Sequence, residues 1–172
     1  LDYGIRPPAM DFPWLGKAPD GSRVVRYAVL LTATSRADKL WDEAHWREVG
    51  QALNQRGLTP VFPSGNAAER QRAERIAAGI PSACVAPTLG LRELAALLGR
   101  ARLCIGVDTG LAHLAAALRT PTIALYTATD PALTGVLGTD FARNLGGKGS
   151  PPSVADILTA AEQALTVTFS PM

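Results

Sequence analysis

The sequence is short of several things, and each shortage narrows what the chain can be. It has only two cysteines, Cys84 and Cys104, in 172 residues. Both sit in apolar runs, which reads as core thiols, not a disulfide or metal pair, and fits a reducing compartment. Charged residues make up 19%, and 17 Lys+Arg against 15 Asp+Glu leave a net charge of +2. That balance argues against a nucleic-acid partner, whose binding domains gather Lys and Arg on one face. No run reaches the ~20 apolar residues of a membrane span, and the longest nearly uncharged stretch, residues 103–118, contains Asp108 and His113. A soluble chain is expected. Also missing are a Cys/His metal spacing, an HExxH helix, a Ser/His/Asp ordering and a Walker loop. No metal site is therefore expected. A Gly-x-Gly-x-x-Gly fingerprint after the first strand is absent as well, which weakens a dehydrogenase reading.

What is present is enough apolar material, 47% of residues, for one full core. At about 150 residues per domain the length fits one domain plus a tail. The chain opens on Leu1 without a basic-then-apolar leader, and reads as a piece of something longer. Its first twenty residues hold Pro7, Pro8, Pro13 and Pro19 with Gly4 and Gly16, which predicts an extended lead-in and not a helix.

From Val24 onward, strand-length apolar runs alternate with helical patterns. Strands are expected at residues 24–32, 58–62, 83–86, 103–107 and 121–126, with a weaker one near 141–145. Helices are expected after Asp42 to Gly57, over 67–78 with Asn66 as cap, and over 91–99, 110–118 and 153–166. The strands are continuous apolar runs, the mark of a parallel sheet covered on both faces. The fold class is α/β, a doubly wound parallel sheet in one domain.

In such sheets ligands bind past the carboxyl ends of the strands. Four loops qualify. Gly106-Val-Asp-Thr-Gly-Leu-Ala-His113 leaves a strand and enters a helix, and its Thr109, Gly110 and Leu111 amides would face an anion at the helix start. The same residues fit a plain cap by Asp108 with turning glycines. Thr34, Ser35, Arg36 and Lys39 in the loop after the first strand would suit a diphosphate, although the loop could simply be solvated with Lys39 paired to Asp38. Glu69 could accept ribose hydroxyls or merely favour a helix dipole. The loop 126–131 is a substrate-facing rim or an ordinary connection. His113 is either a core histidine or a neighbour of the phosphate position, and His45 reads as structural.

Together, Thr34-Ser-Arg-Ala-Asp-Lys-Leu-Trp41 with Ala44-His-Trp46, the Asp108-Thr-Gly-Leu-Ala-His113 motif and Pro121-Thr-Ile-Ala-Leu-Tyr126 resemble the C-terminal half of the ADP-heptose:lipopolysaccharide heptosyltransferases of glycosyltransferase family 9. The Lys39-Leu-Trp41 loop looks most like the heptosyltransferase I branch. The resemblance runs from about Arg26 to Leu165, with Ser35 standing where a second threonine is expected and the loop after Tyr126 matching loosely. It implies a GT-B enzyme whose Rossmann-like C-terminal domain binds the donor. It further implies inverting transfer of L-glycero-D-manno-heptose from ADP-heptose to a Kdo sugar of lipid A, at the cytoplasmic face of the inner membrane. Residues 1–22 would then be an interdomain lead-in and 23–172 the donor domain, with the acceptor domain and its catalytic base outside this chain. On the resemblance, Lys39, Thr34, Ser35 and the amides of Thr109, Gly110 and Leu111 hold the diphosphate. Asp108 holds heptose, Glu69 the ribose, and His113 supports the phosphate or the Asp108 loop. No cofactor or metal is implied. A nucleotide-sugar epimerase of GT-B layout and a non-catalytic nucleotide-binding module are the alternatives.

Overall fold

A sheet strand flanked by helices on both sides has no polar face, and β1 (Tyr27–Leu31), β4 (Leu103–Val107) and β5 (Thr122–Tyr126) are buried at every residue. The computed structural model describes residues 11–16, 21, 26–137 and 141–166. With β2 (Thr59–Phe62), β3 (Cys84–Val85) and β6 (Ala142–Gly146), these strands form one six-stranded parallel sheet in the order β3-β2-β1-β4-β5-β6. That is the strand order of a doubly wound dinucleotide-binding fold. The connecting helices are α1 (Glu43–Gln55), α2 (Ala67–Ala77), α3 (Leu91–Arg100), α4 (Gly110–Ala117), α5 (Pro131–Thr134) and α6 (Val154–Thr166).

Alternation along each strand divides the core in two. Ala28 and Leu30 of β1 join Leu103, Ile105 and Val107 of β4 against α1, α2 and α6, with Trp41, Trp46 and Phe62 filling the layer. Val29 and Leu31 face the other way, toward Leu97 and Leu98 of α3 and three alanines of α4. Small residues let α4 sit close to the sheet. Gly106 belongs to this packing: it pairs with Leu31 across β1 and β4, and a Cβ on it would lie 2.9 Å from the Leu31 Cβ. It was expected to turn the chain, but it lies inside β4 and serves space instead.

Local signals placed most element ends. Asp42 accepts from the Ala44 amide at 2.7 Å to start α1, and Gly57, in the left-handed region at φ 79°, follows its end. Asn66 accepts from the Glu69 amide at 2.9 Å to start α2. Ser153 and Asp156 bond each other's amides before α6, a reciprocal cap.

Two expectations need correcting. The lead-in is not wholly extended: Pro13–Leu15 forms one 3-10 turn, and Leu15 packs with Phe12 and Trp14 on the α3/α4 face of the core. Proline at the first position presets the dihedral, and three apolar side chains gain by burial. Of the rest of the lead-in, residues 1–10, 17–20 and 22 lie outside the described residues. The loop after β5 also contains α5, capped by the Asp130 side chain on the Ala132 amide. Cys104 is buried and Cys84 half-buried; both are free, and the Cys84 thiol donates to the Trp14 carbonyl. Among the described residues no helix is long and apolar enough to cross a membrane.

Candidate functional site

The strand order reverses between β1 and β4, and chain leaving their carboxyl ends diverges to opposite faces. A crevice must open there, and its floor is the end of β1 and β4. The structure has a cavity of about 630 Å³ at that point. Thr34, Ser35, Lys39, Glu69, Asp108, Thr109, Gly110, Leu111 and His113 all line it. Three loops that are distant in sequence thus bring all nine of these candidate residues to one volume.

Two of the lining residues form an ion pair. Lys39 Nζ donates to Asp108 Oδ2 at 2.8 Å, and Thr129 Oγ1 donates to the same oxygen at 2.8 Å. The two charged side chains are only 18% and 10% exposed, so the pair is shielded from solvent screening. Burial pushes the Asp108 carboxyl up. The Lys39 and Thr129 hydrogen bonds, with the nearby positive charge of Lys39 and the field of His113, outweigh it and leave the carboxyl below its ordinary value. Asp108 is therefore held ionised. The alternative in which Lys39 pairs with Asp38 is not realised, because Arg36 in the same short loop takes Asp38 through two of its nitrogens. A Lys ammonium has three donors, and the recorded bond to Asp108 uses one.

Nor does Asp108 cap α4. Thr109 does, its hydroxyl accepting from the Leu111 amide at 3.1 Å. Leu111 therefore presents an occupied amide, which removes it from the expected set of three. Among the described residues the Thr109 and Gly110 amides have no acceptor and remain the open donors of the helix start. A Cβ on Gly110 would meet nothing within 4 Å, and its φ lies outside the left-handed region. Neither packing nor backbone strain explains that glycine. His113 is exposed at the cavity wall and is not a core histidine. His45 is exposed beside the Trp41 ring at 5.1 Å.

Glu69 answers to both expectations for it. Its Oε2 accepts from the Gly65 amide at 2.6 Å, so it serves the start of α2, while the residue also lines the cavity. Ser64, Thr88 and Leu89 complete that side and were not anticipated. Thr129 was missed as an individual residue, though its loop was named as a rim. Among the described residues no group of three or more His, Cys, Asp or Glu could hold a metal ion.

A doubly wound sheet with a polar cavity at its switch point has the architecture in which α/β folds of this class bind their ligands. Residues 16–155 match the model of glycosyltransferase family 9 (heptosyltransferase), and the chain belongs to that family. It is 44% identical to lipopolysaccharide heptosyltransferase 1 of Pseudomonas aeruginosa over 137 residues, 80% of this chain and 36% of that protein. The Escherichia coli K12 protein of the same name is 45% identical over 112 residues, 65% of this chain and 35% of that one. Among solved structures, E. coli heptosyltransferase WaaC with ADP superposes at TM-score 0.74 and 38% identity, over 81% of this chain and 44% of that chain. The chain spans about a third of the length of these two sequence relatives.

Proposed function

We propose that residues 23–172 are the donor-binding domain, preceded by an interdomain lead-in, of an inverting GT-B heptosyltransferase. The whole enzyme would move L-glycero-D-manno-heptose from ADP-heptose to a Kdo sugar of the lipopolysaccharide inner core, at the cytoplasmic face of the inner membrane. The observation that carries this reading is the convergence of nine residues from separate loops on one cavity at the switch point. Family membership and a similar solved structure with ADP support it.

In the transfer an acceptor hydroxyl attacks the anomeric carbon as the bond to ADP breaks, and its proton passes to a base on the acceptor domain outside this chain. Negative charge grows on the leaving diphosphate. Lys39, the Thr34 and Ser35 hydroxyls and the Thr109 and Gly110 amides are placed to stabilise it; such preorganised donors are the largest catalytic lever. Gly110 without a side chain lets a phosphate oxygen approach the amides. Asp108, ionised and fixed by Thr129, accepts from heptose hydroxyls. The free Glu69 oxygen accepts from the ribose, and His113 flanks the phosphates.

Titration calorimetry of this chain tests the reading. ADP and ADP-heptose should bind, ADP-heptose more tightly, and a UDP-sugar should not. Heptose transfer to Kdo-lipid A by this chain alone should be absent. Failure of both adenine nucleotides to bind overturns the reading, and equal affinity for the two reduces the domain to a nucleotide-binding module.

A further inference from the structure

The loop of residues 33–40 carries three of the candidate diphosphate ligands, yet its own bonding is slight. Its one regular feature is the 3-10 turn Ala37–Lys39, closed by Leu40 N to Ala37 O at 3.2 Å, with Lys39 N to Arg36 O at 3.1 Å. Such a segment does not hold its shape alone. Its ends, however, meet at one side chain on another element. Arg72 of α2 donates through Nη1 to the Thr32 carbonyl at 2.8 Å and through Nη2 to the Trp41 carbonyl at 2.5 Å. Thr32 is the residue after β1 and Trp41 precedes the cap of α1, so these two carbonyls bracket the loop. The Arg72 side chain is 13% exposed, and its Nε lies 3.6 Å from Glu43 Oε1, which supplies the counter-charge.

Two other ties reach the loop. Thr127 donates to the Asp38 carbonyl at 2.7 Å, and Lys39 bonds Asp108. The Lys39 tie is the one that a bound diphosphate would disturb. We propose that Arg72 is a positioning residue for nucleotide binding: one guanidinium clamps both ends of the 33–40 loop to α2 and so holds Thr34, Ser35 and Lys39 at the cavity. It touches no ligand itself. The planar fork of arginine can span two carbonyls with separate nitrogens, which the point-like ammonium of lysine cannot do at fixed geometry. This inference rests on the donor-domain reading for its ligand, ADP.

The test is a double-mutant cycle by ADP calorimetry on the chain with Arg72→Lys, Lys39→Ala and both, joined to amide hydrogen exchange. Arg72→Lys should weaken ADP about fivefold or more, and by less than about twofold in the Lys39→Ala background, since contacting parts of one network couple. Exchange at residues 33–40 should accelerate while β4 and α4 keep their protection. Unchanged ADP affinity, or equal loss in both backgrounds with protection lost throughout, overturns the proposal. Arg72→Met keeps the apolar stem without the fork and must show the same coupling; if neither variant folds, Arg72 is a structural residue only and the proposal fails. Should the unsubstituted chain bind no ADP, the donor-domain reading fails instead, and selective loss of protection at 33–40 still decides the clamp.

Discussion

On the side of the cavity that follows β1, β4 and β5, the charged pair is held by partners far along the chain: Lys39 meets Asp108 69 residues away, and Thr129 reaches back 21 to the same oxygen. On the side that follows β2 and β3 polar groups are held by near neighbours. Glu69 bonds the amide four residues before it, Asn66 the amide three after, and Glu93 the Gly90 amide three before. Local caps form with their helix and persist whatever the rest of the sheet does. The ion pair exists only once β1 and β4 are side by side. One wall of the cavity is thus built by helix initiation and the other by completion of the fold.

Removing the acceptor on the long-range wall should have the largest effect. Asp108→Ala leaves the Lys39 ammonium and the Thr129 hydroxyl without their shared partner at low exposure. Unfolding in urea should show a loss of about 2–3 kcal/mol, the cost of stranding a partly buried charge. The pH dependence has a definite sign. The folded carboxyl titrates below its unfolded value, so its contribution is complete above about pH 4–5 and disappears as pH falls through the folded value. The stability gap between the parent and Asp108→Asn should therefore narrow on acidification. A constant gap down to pH 2 would mean that the ion pair contributes nothing to folding.

The same division explains what was legible in the sequence. Asp42 and Asn66 were readable as caps because a cap needs only the next few residues. The sheet was readable because burial on both faces leaves continuous apolar runs. Lys39–Asp108 was not, since Asp38 is the nearer partner by sequence and only the fold reveals that Arg36 occupies it. The alternative that made Asp108 the α4 cap falls one residue short because Asp108 and Thr109 are adjacent and both are good caps. There, β4 runs to Val107 and Asp108 turns to Lys39, leaving Thr109 at the helix start. The short helix α5 fell below any periodicity, although Asp130-Pro131 was a readable start signal. Arg72 looked like one more charge on a polar helix, because both its carbonyl partners lie more than 30 residues back.

Gly110 opens α4 on the wall that follows β4, and substituting it should move stability and affinity in opposite directions. With nothing within 4 Å of a new Cβ, Gly110→Ala should raise the stability of the chain by about 0.5 kcal/mol through helix propensity. A methyl group in the path of the phosphate should weaken ADP about tenfold, or 1.4 kcal/mol. Gains in both quantities would show that no ligand approaches these amides.

The smaller effect on ADP affinity is expected on the locally built wall, at Glu69, and it separates support of the helix start from ligand contact. Glu69→Gln retains a side-chain carbonyl that can accept from the Gly65 amide, so the bond seen at 2.6 Å has a substitute. What disappears is the negative charge near the helix start, worth about 0.5 kcal/mol of stability in an exposed first turn. A ribose hydroxyl bonded to the other carboxylate oxygen would lose a charged acceptor, and ADP affinity should fall about fivefold, near 1 kcal/mol. Inorganic pyrophosphate is the control, since it fills the diphosphate position without a ribose and its affinity should hold. Equal weakening of ADP and pyrophosphate would point to a change in the electrostatics of the whole cavity. Unchanged affinity for both would leave Glu69 as a support for the chain entering α2 alone, and the nucleotide would then be held entirely by the wall that the fold, not the local sequence, assembles.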